Sequence, residues 1–496
     1  MVRATTGGVL RSYRADLMNS FISMNKSQDT VLTQRNFNSY AEDPASASKA
    51  FKLRKSRMAV QSQYKINDDS YRKFQTAWSC LDTVDKLIDT DNGKSITTLK
   101  GMTLKMLNDP TGDARKTLSK ALDELSETIV QTMNQKYGDN FIFAGADGHN
   151  VPFEVVDNKL YYRGVPVDAA VPELQMDGAT PPAPITDQNG DYVLASAEKA
   201  KVPDLQMTGT TPTTFTATDG TAFYVNKGVT ATSKADYDTA VANDPAAAAL
   251  YYEDSSKNPP EYYLKSDTMT KDAYDDLQNN ILKDDTNAPI TVQIGGKGYY
   301  VMKGTDENPS TISDADYKKA QTDVEKLNYL VNEKHFVDIG LGFQENENNQ
   351  LIESSGFNDA INGLTFLGYG IDKDGDPKNI YSLVQRMKDL ASSVQDGQNW
   401  TDAQYDEFDR LVGKLEDASS EFKVEYTDLD AGTTKLKNNL ALLEENFYNL
   451  QEQYAALEDV DMADALTSFV WAQYCYNAAL KVGNNVLSES LMDYLN

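Results

Sequence analysis

The sequence predicts a mainly α-helical protein. Both termini should form long paired helices, a coiled-coil bundle, around a central β-rich α+β inserted domain. Three observations carry this. Between Leu436 and Leu457, the residues Leu436, Leu440, Leu443, Phe447, Leu450, Tyr454 and Leu457 follow at steps of 4, 3, 4, 3, 4 and 3, with almost everything between them polar. That is a heptad seam, which has to lie against another helix. The N-terminal third carries apolar faces of the same kind. The middle, about 150–335, is instead rich in Thr, Asp, Gly, Pro and Tyr, with short β-prone runs such as KLYYRG and ITVQIG. At 496 residues, 40% of them apolar, the chain has room for roughly three domains with proper cores.

In chain order, Leu10, Tyr13, Leu17, Phe21, Met24 and Val31 keep one apolar face through a first helix. AEDPAS at 41–46 interrupts it, because Pro44 bars continuation and forces Asp43 out of the helical region. A second helix then starts at Ala45 or Ser46 and runs towards Asp89, with Tyr71, Phe74, Trp78, Leu81 and Ile88 on its later face. A third spans about Asp113–Tyr137 through Leu118, Leu122, Leu125, Ile129 and Met133. The C-terminal third mirrors this with helices near 379–395, 402–426 and 433–458 and a last one from Met462 to Tyr494. After Leu457 the seam should continue at Asp461. It resumes instead at Met462, Leu466, Phe469, Gln473, Tyr476 and Leu480, and runs on through Leu487, Leu491 and Leu495. A one-residue slip among three Asp marks a joint, matching the one at Pro44. The organisation read from this is outer helical arms at 1–43 and 460–496, a helical bundle rod at 44–150 and 336–459, and a surface domain at 151–335.

The surface domain contains an internal repeat. FYVNKGVTATSKADYDTA (223–240), YYLKSDTMTKDAYDDL (262–277) and YYVMKGTDENPSTISDADYKKA (299–320) each order a two-aromatic strand, a Lys, a Ser/Thr turn and an acid-Tyr helix start. Ser233, Thr270 and Ser313 are natural N-caps, leading to Tyr237, Tyr274 and Tyr317.

Formal charge is −28 and unevenly spread. Residues 1–75 hold 13 Lys+Arg against 6 Asp+Glu, a net of +7, which leaves −35 for the remainder. Opposite signs at the two ends favour their meeting, and the acidic bulk argues against nucleic acid as a partner. The opening residues lack the apolar run of a secretory signal peptide, and no window reaches transmembrane length, so membrane insertion is not expected. Cys80 and Cys475 fall within helical patterns beside aromatics and read as small buried hydrophobes. DKDGDPKN places Asp372, Asp374 and Asp376 at alternating positions, but Gly375 stands fourth and Leu383 twelfth. An EF-hand loop needs Gly sixth and Glu twelfth, so a polar helix-capping turn is the better reading. Phosphate-loop and HExxH patterns are absent, and His149 and His335 lie 186 residues apart. No catalytic residue, metal ligand or cofactor site is expected, and the chain is not read as an enzyme.

Four stretches carry a family resemblance: NSYAEDPASASKAFKLRKS, MNQKYGDNFIFAGADGHNVPF, FVDIGLGFQ with INGLTFLGYG, and LEDVDMADALT with the ending SLMDYLN. In these the chain resembles the bacterial flagellin superfamily, and within it the hook–filament junction family (hook-associated protein 3). The resemblance covers about 1–160 and 336–496. It implies that Leu436–Leu457 lies along the Tyr71–Ile88 and Leu118–Met133 faces, and that Leu10–Val31 meets Met462–Leu495. It implies a structural subunit secreted through the flagellar export channel to the extracellular flagellum. Its partners would be other copies of itself in a ring, the hook-side junction protein, flagellin, and an export chaperone on the C-terminal helix. Two other roles stay open: a flagellin forming the filament body, and a surface-adhesion module on a flagellin-like rod.

Overall fold

The computed structural model describes residues 6–90, 93–108, 115–208, 211–305, 308–340, 342–394 and 399–495; for 6, 7, 9 and 484–495 it describes the backbone alone. The chain divides into two compact units, Met1–Val167 with Leu330–Asn496, and Asp168–Tyr329.

The first unit is built on long helices: α1 (Thr6–Thr33), α2 (Pro44–Ile88), α3 (Leu99–Leu107) and α4 (Arg115–Met133) from the N-terminal part. The second unit contributes α5 (Lys234–Asn243) and α6 (Lys271–Asn279), and α7 (Asp314–Val331) leads back to the first. There follow α8 (Gly363–Leu367), α9 (Ile380–Ser393), α10 (Asp402–Glu458) and α11 (Met462–Leu495).

A capping box at Thr401 and Gln404 starts α10. Where the sequence suggested two helices, α10 runs unbroken for 57 residues, and its seam extends far upstream of Leu436. Phe408, Leu415, Phe422, Leu429, Leu436 and Leu443 recur every seven residues, and all are buried. The partner is α2, whose buried Asn67, Ser70, Phe74, Ala77, Leu81, Val84 and Ile88 follow steps of 3 and 4. The two run antiparallel. Arg54 Nη2 donates to Tyr454 Oη at 2.7 Å, Asn67 Nδ2 to the Leu436 carbonyl at 3.1 Å, and Lys423 Nζ lies 4.0 Å from Asp85.

This register corrects the expected pairing. Leu436–Leu457 lies along the first half of α2, not along Tyr71–Ile88 or Leu118–Met133. The cause is the continuity of α10: with no break at 427–432, its last turns reach back to the start of α2. Gly432 allows the passage, since a Cβ there would stand 3.2 Å from the Phe74 ring. α4 packs against α9 instead, where Gln385 donates to Asp123 at 3.0 Å and to Ser126 at 3.1 Å. α3 is an element beyond those expected from the sequence, and its Leu99, Met102, Met106 and Leu107 are buried.

The second unit holds small antiparallel sheets. Thr214–Thr216, Ala222–Val225 and Thr268–Thr270 form one, Thr291–Ile294, Lys297–Val301 and Lys199–Lys201 another, and Tyr251–Asp254 pairs with Glu261–Leu264. Ser233, Thr270 and Ser313 accept the amides of Asp236, Ala273 and Asp316 at 3.2, 3.2 and 3.1 Å. The helix tyrosines then dock on strand tyrosines, but the first two exchange strands. Tyr237 stacks on Tyr262, 3.8 Å between centroids, while Tyr274 meets Tyr224 edge-on at 4.9 Å. Tyr317 packs on Tyr192 at 5.5 Å. Each contact joins rings from distant parts of the unit, so aromatic pairing links small sheets that bury little on their own.

Candidate assembly surface

The two helix breaks found in the sequence are bonded to each other. Gln34 takes the left-handed conformation at φ 61°, ending α1. The Asn36 amide then donates to the Glu458 carbonyl at 2.8 Å, and its side chain donates to the carbonyls of Leu457 and Asp459 at 3.2 and 2.9 Å. The Glu458 carboxylate, nearly sealed from solvent, lies 3.3 Å from Arg35 and 3.5 Å from Arg54. Two carboxylates restart the helices. Asp43 Oδ1 accepts the amides of Ala45 and Ser46, and Asp461 Oδ1 those of Ala463 and Asp464. Hydrogen bonding from Ser46 holds the Asp43 carboxyl below its usual range.

Beyond this joint α1 and α11 run antiparallel. Tyr13 Oη donates to the Ala479 carbonyl at 3.1 Å, and Phe21 and Tyr476 lie 5.6 Å apart. The α11 face turned inward is Met462, Ala465, Phe469, Ala472, Tyr476, Ala479 and Gly483, at steps of 3 and 4, all buried or half-buried. On α1, Leu10, Tyr13, Leu17, Met24 and Val31 are half-buried. Leu466 and Leu480, expected in this seam, stand one position beside it and are 47% and 42% exposed. Leu487, Leu491 and Leu495 have side chains outside the described residues.

On the inward face Ala465, Ala472, Ala479 and Gly483 alternate with Met462, Phe469 and Tyr476, and the remaining large apolar side chains of α11 lie on its other faces. Val470, Trp471, Tyr474 and Val482 are 56–68% exposed, and Leu466, Thr467, Val470, Trp471 and Tyr474 border a shallow apolar groove. Met18 and Ile22 of α1 are also exposed. Cys475 is exposed as well, in contrast to the buried position expected, whereas Cys80 is half-buried; both are free thiols.

Along the rod, Phe74, Leu81, Leu436 and Leu443 are buried, and Tyr71, Leu440, Phe447, Leu450, Tyr454 and Leu457 half-buried. Trp78 sits on the flank of the seam, 5.7 Å from Tyr426.

The groups considered for chemistry are already committed to one another. Asp372, Asp374 and Asp376 offer oxygens within 4.8 Å of one another. Lys414 bonds Asp372 and Asp374, and Arg386 and Arg410 bind the buried Asp376 at 2.8 and 2.9 Å. Asp372 Oδ1 also accepts the Asp374 and Asp376 amides, closing the turn. His149 and His335 border one cleft, where His335 Nδ1 pairs with Asp359 and Lys73 Nζ donates to the Asp359 carbonyl at 2.8 Å. Burial pushes the Lys73 amine below its usual value, and the Asp359 carboxylate opposes that shift. These contacts tie the Phe336–Val337 and Phe357–Asn358 hairpin to α2. No described helix is long and apolar enough to cross a membrane.

No protein-family model and no curated protein matches the chain. Among the solved structures it resembles are flagellar hook-associated proteins. A putative flagellar hook-associated protein from Vibrio parahaemolyticus aligns over 84% of this chain and all of its own, at 10% identity and a TM-score of 0.36. FlgL from Xanthomonas campestris aligns over 81% of this chain and 99% of its own, at 11% identity and a TM-score of 0.32. The flagellar junction protein FlgL from Legionella pneumophila aligns over 84% of this chain and all of its own, at 13% identity and a TM-score of 0.29. With superposition this loose, the assignment of a role rests on this chain's own residues.

Proposed function

We propose that the chain is a structural subunit of the bacterial flagellum that forms a junction ring between hook and filament. Its terminal helices would pack against those of neighbouring copies. One observation carries the reading: α11 meets α1 through Ala465, Ala472, Ala479 and Gly483 while turning Leu466, Val470, Trp471 and Tyr474 to solvent. An outward apolar stripe containing Trp and Tyr is the composition of an interface core, where such residues carry most of the binding energy. A two-helix arm that leaves this much large apolar surface exposed is marginal alone and gains its stability among copies.

The partners in this reading are further copies around the ring, a hook-side junction protein and flagellin, as the resemblance of the terminal motifs implies. Before assembly the apolar stripe needs cover, which suits an export chaperone bound to α11 and delivery through the flagellar secretion channel to the cell exterior. The role is architectural and calls for no catalysis.

The test is electron microscopy of flagella from a strain carrying Trp471→Ser and Tyr474→Ser. Hooks without filaments, with the subunit still exported, are the expected result. Normal filaments in a strain lacking the chain altogether would remove the junction role.

A further inference from the structure

The rod carries two exposed stripes of opposite sign that its own fold keeps apart. From Pro44 to Asn67 the sequence has six Lys/Arg and no Asp or Glu. On the outer surface of this stretch of α2 lie Phe51, Lys52, Lys55, Met58, Lys65 and Ile66, all exposed, with Phe51 and Met58 at 68% and 60%. The first half of α10, 402–430, has ten Asp/Glu against three Lys/Arg. Its Arg410, Lys414 and Lys423 are turned to carboxylates of the same unit. Asp402, Asp406, Asp409, Asp417, Glu421 and Asp428 stay exposed at helical spacing. Gly413, with open space around it, and Val424, 67% exposed, interrupt that line. None of the six acids, nor Lys52, Lys55 or Lys65, forms an ion pair with a described residue.

Because α2 and α10 are antiparallel, the basic stretch lies beside the end of α10 and the acidic stretch beside the end of α2. The two are separated by on the order of 50 Å along a continuous helix. The two continuous helices keep them apart within one copy, so a protein complement for either stripe would come from another molecule.

We propose that the basic-aromatic stripe of α2 docks on the acidic stripe of α10 of a second copy, giving a head-to-tail contact between rods. This rests on the assembly reading above and adds to the apolar arm contact a second, electrostatic one. A contact between two different patches is heterologous: it does not close on a pair, and propagates to a ring or a column. Opposite charge sets its direction and register, since like-sign rod ends repel. Phe51 and Met58 supply the apolar area, against Gly413 and Val424 between the acids.

The experiment uses the full chain as an equimolar mixture of 14N- and 15N-labelled copies, treated with a zero-length carbodiimide. Mixed-isotope peptides joining Lys52, Lys55 or Lys65 to carboxylates of 402–428 are expected. Association measured by sedimentation should weaken about tenfold or more between low and high salt. Lys52→Glu, Lys55→Glu and Lys65→Glu together should abolish those links, and mixing that variant with Asp402→Lys, Asp406→Lys and Asp409→Lys should restore association. Salt-insensitive association without these links overturns the proposal, as does a chain that stays monomeric throughout. Capture of anionic vesicles through the same lysines, without mixed-isotope links, overturns it too. The two readings fail separately. If Trp471→Ser with Tyr474→Ser dissociates the assembly while charge reversal changes nothing, the head-to-tail contact fails and the arm reading stands. In the converse result the arm reading fails and the head-to-tail contact stands.

Discussion

Gly483 decides how closely α1 and α11 approach. A Cβ at this position would stand 1.8 Å from the Tyr13 hydroxyl oxygen and 2.1 Å from its ring carbon. Gly483→Val should therefore expel the Tyr13 ring and break its bond to Ala479. An overpacked contact of this kind costs about 1–3 kcal/mol, so in the assembled subunit hydrogen exchange in 6–33 should quicken about tenfold or more while 44–88 is unchanged. Unaltered exchange would place the helix contact elsewhere. Single residues of this type were the least legible in the sequence. Ala465, Ala472 and Ala479 are weakly apolar, so the heptad pattern of large hydrophobes points to Leu466 and Leu480, which the fold leaves exposed. Asn67 and Ser70 were missed for the opposite reason, being polar yet buried in the α2 seam. Asn67 donates to the Leu436 carbonyl, while its Oδ1 has no hydrogen-bond partner among the described residues. A polar group at a heptad position favours one register at a cost in stability.

At the scale of elements, the heptad pattern identified α10 as a seam-forming helix, and its continuity was hidden by DLDAGTT, a run that reads as a breaker. Packing outweighs propensity there. Leu429 and Leu436 are both buried against neighbours on the two sides of Gly432, which holds the helix through a poor local sequence. The two α10 glycines should consequently respond in opposite directions. At Gly413 a Cβ meets nothing within 4 Å, so Gly413→Ala should stabilise by about 0.5–1 kcal/mol. At Gly432 the Phe74 ring is close, and Gly432→Val should lower the urea midpoint; equal gains at both positions would contradict the packing. The α4–α9 contact adds a pH dependence. Desolvation pushes the Asp123 carboxyl up, but hydrogen bonds from Lys388 and Gln385 outweigh it and hold the group below its ordinary 3.8. A depressed carboxyl contributes stability that is present above its unfolded pKa and lost as pH falls through the folded one. Melting temperatures should thus decline below about pH 4, and the decline should be shallower in Asp123→Asn. Identical acid profiles for the two proteins would exclude this contact as a contributor.

For the whole molecule, the sequence already shows long helical termini, two joints, and a Tyr- and Thr-rich middle. The joints are bonded to each other through Arg35, Asn36, Glu458 and Asp459, which the one-residue slip at Asp461 could signal but not pair. Strand exchange in the central unit was not readable, because YYLK and FYVN look alike and either helix tyrosine fits either strand. The distribution of charge was readable as a difference between ends, and the structure resolves it into stripes on two helices. At this scale α1 and α11 form a thin pair that other copies complete. Hydrogen exchange of Thr6–Thr33 and Met462–Leu495, compared between dilute monomer and assembled subunits, tests it most directly. The account predicts fast exchange of both segments in the monomer and protection raised about a hundredfold or more on assembly, with the α2–α10 rod protected in both states. Equal, strong protection of the two arms in the monomer would contradict it.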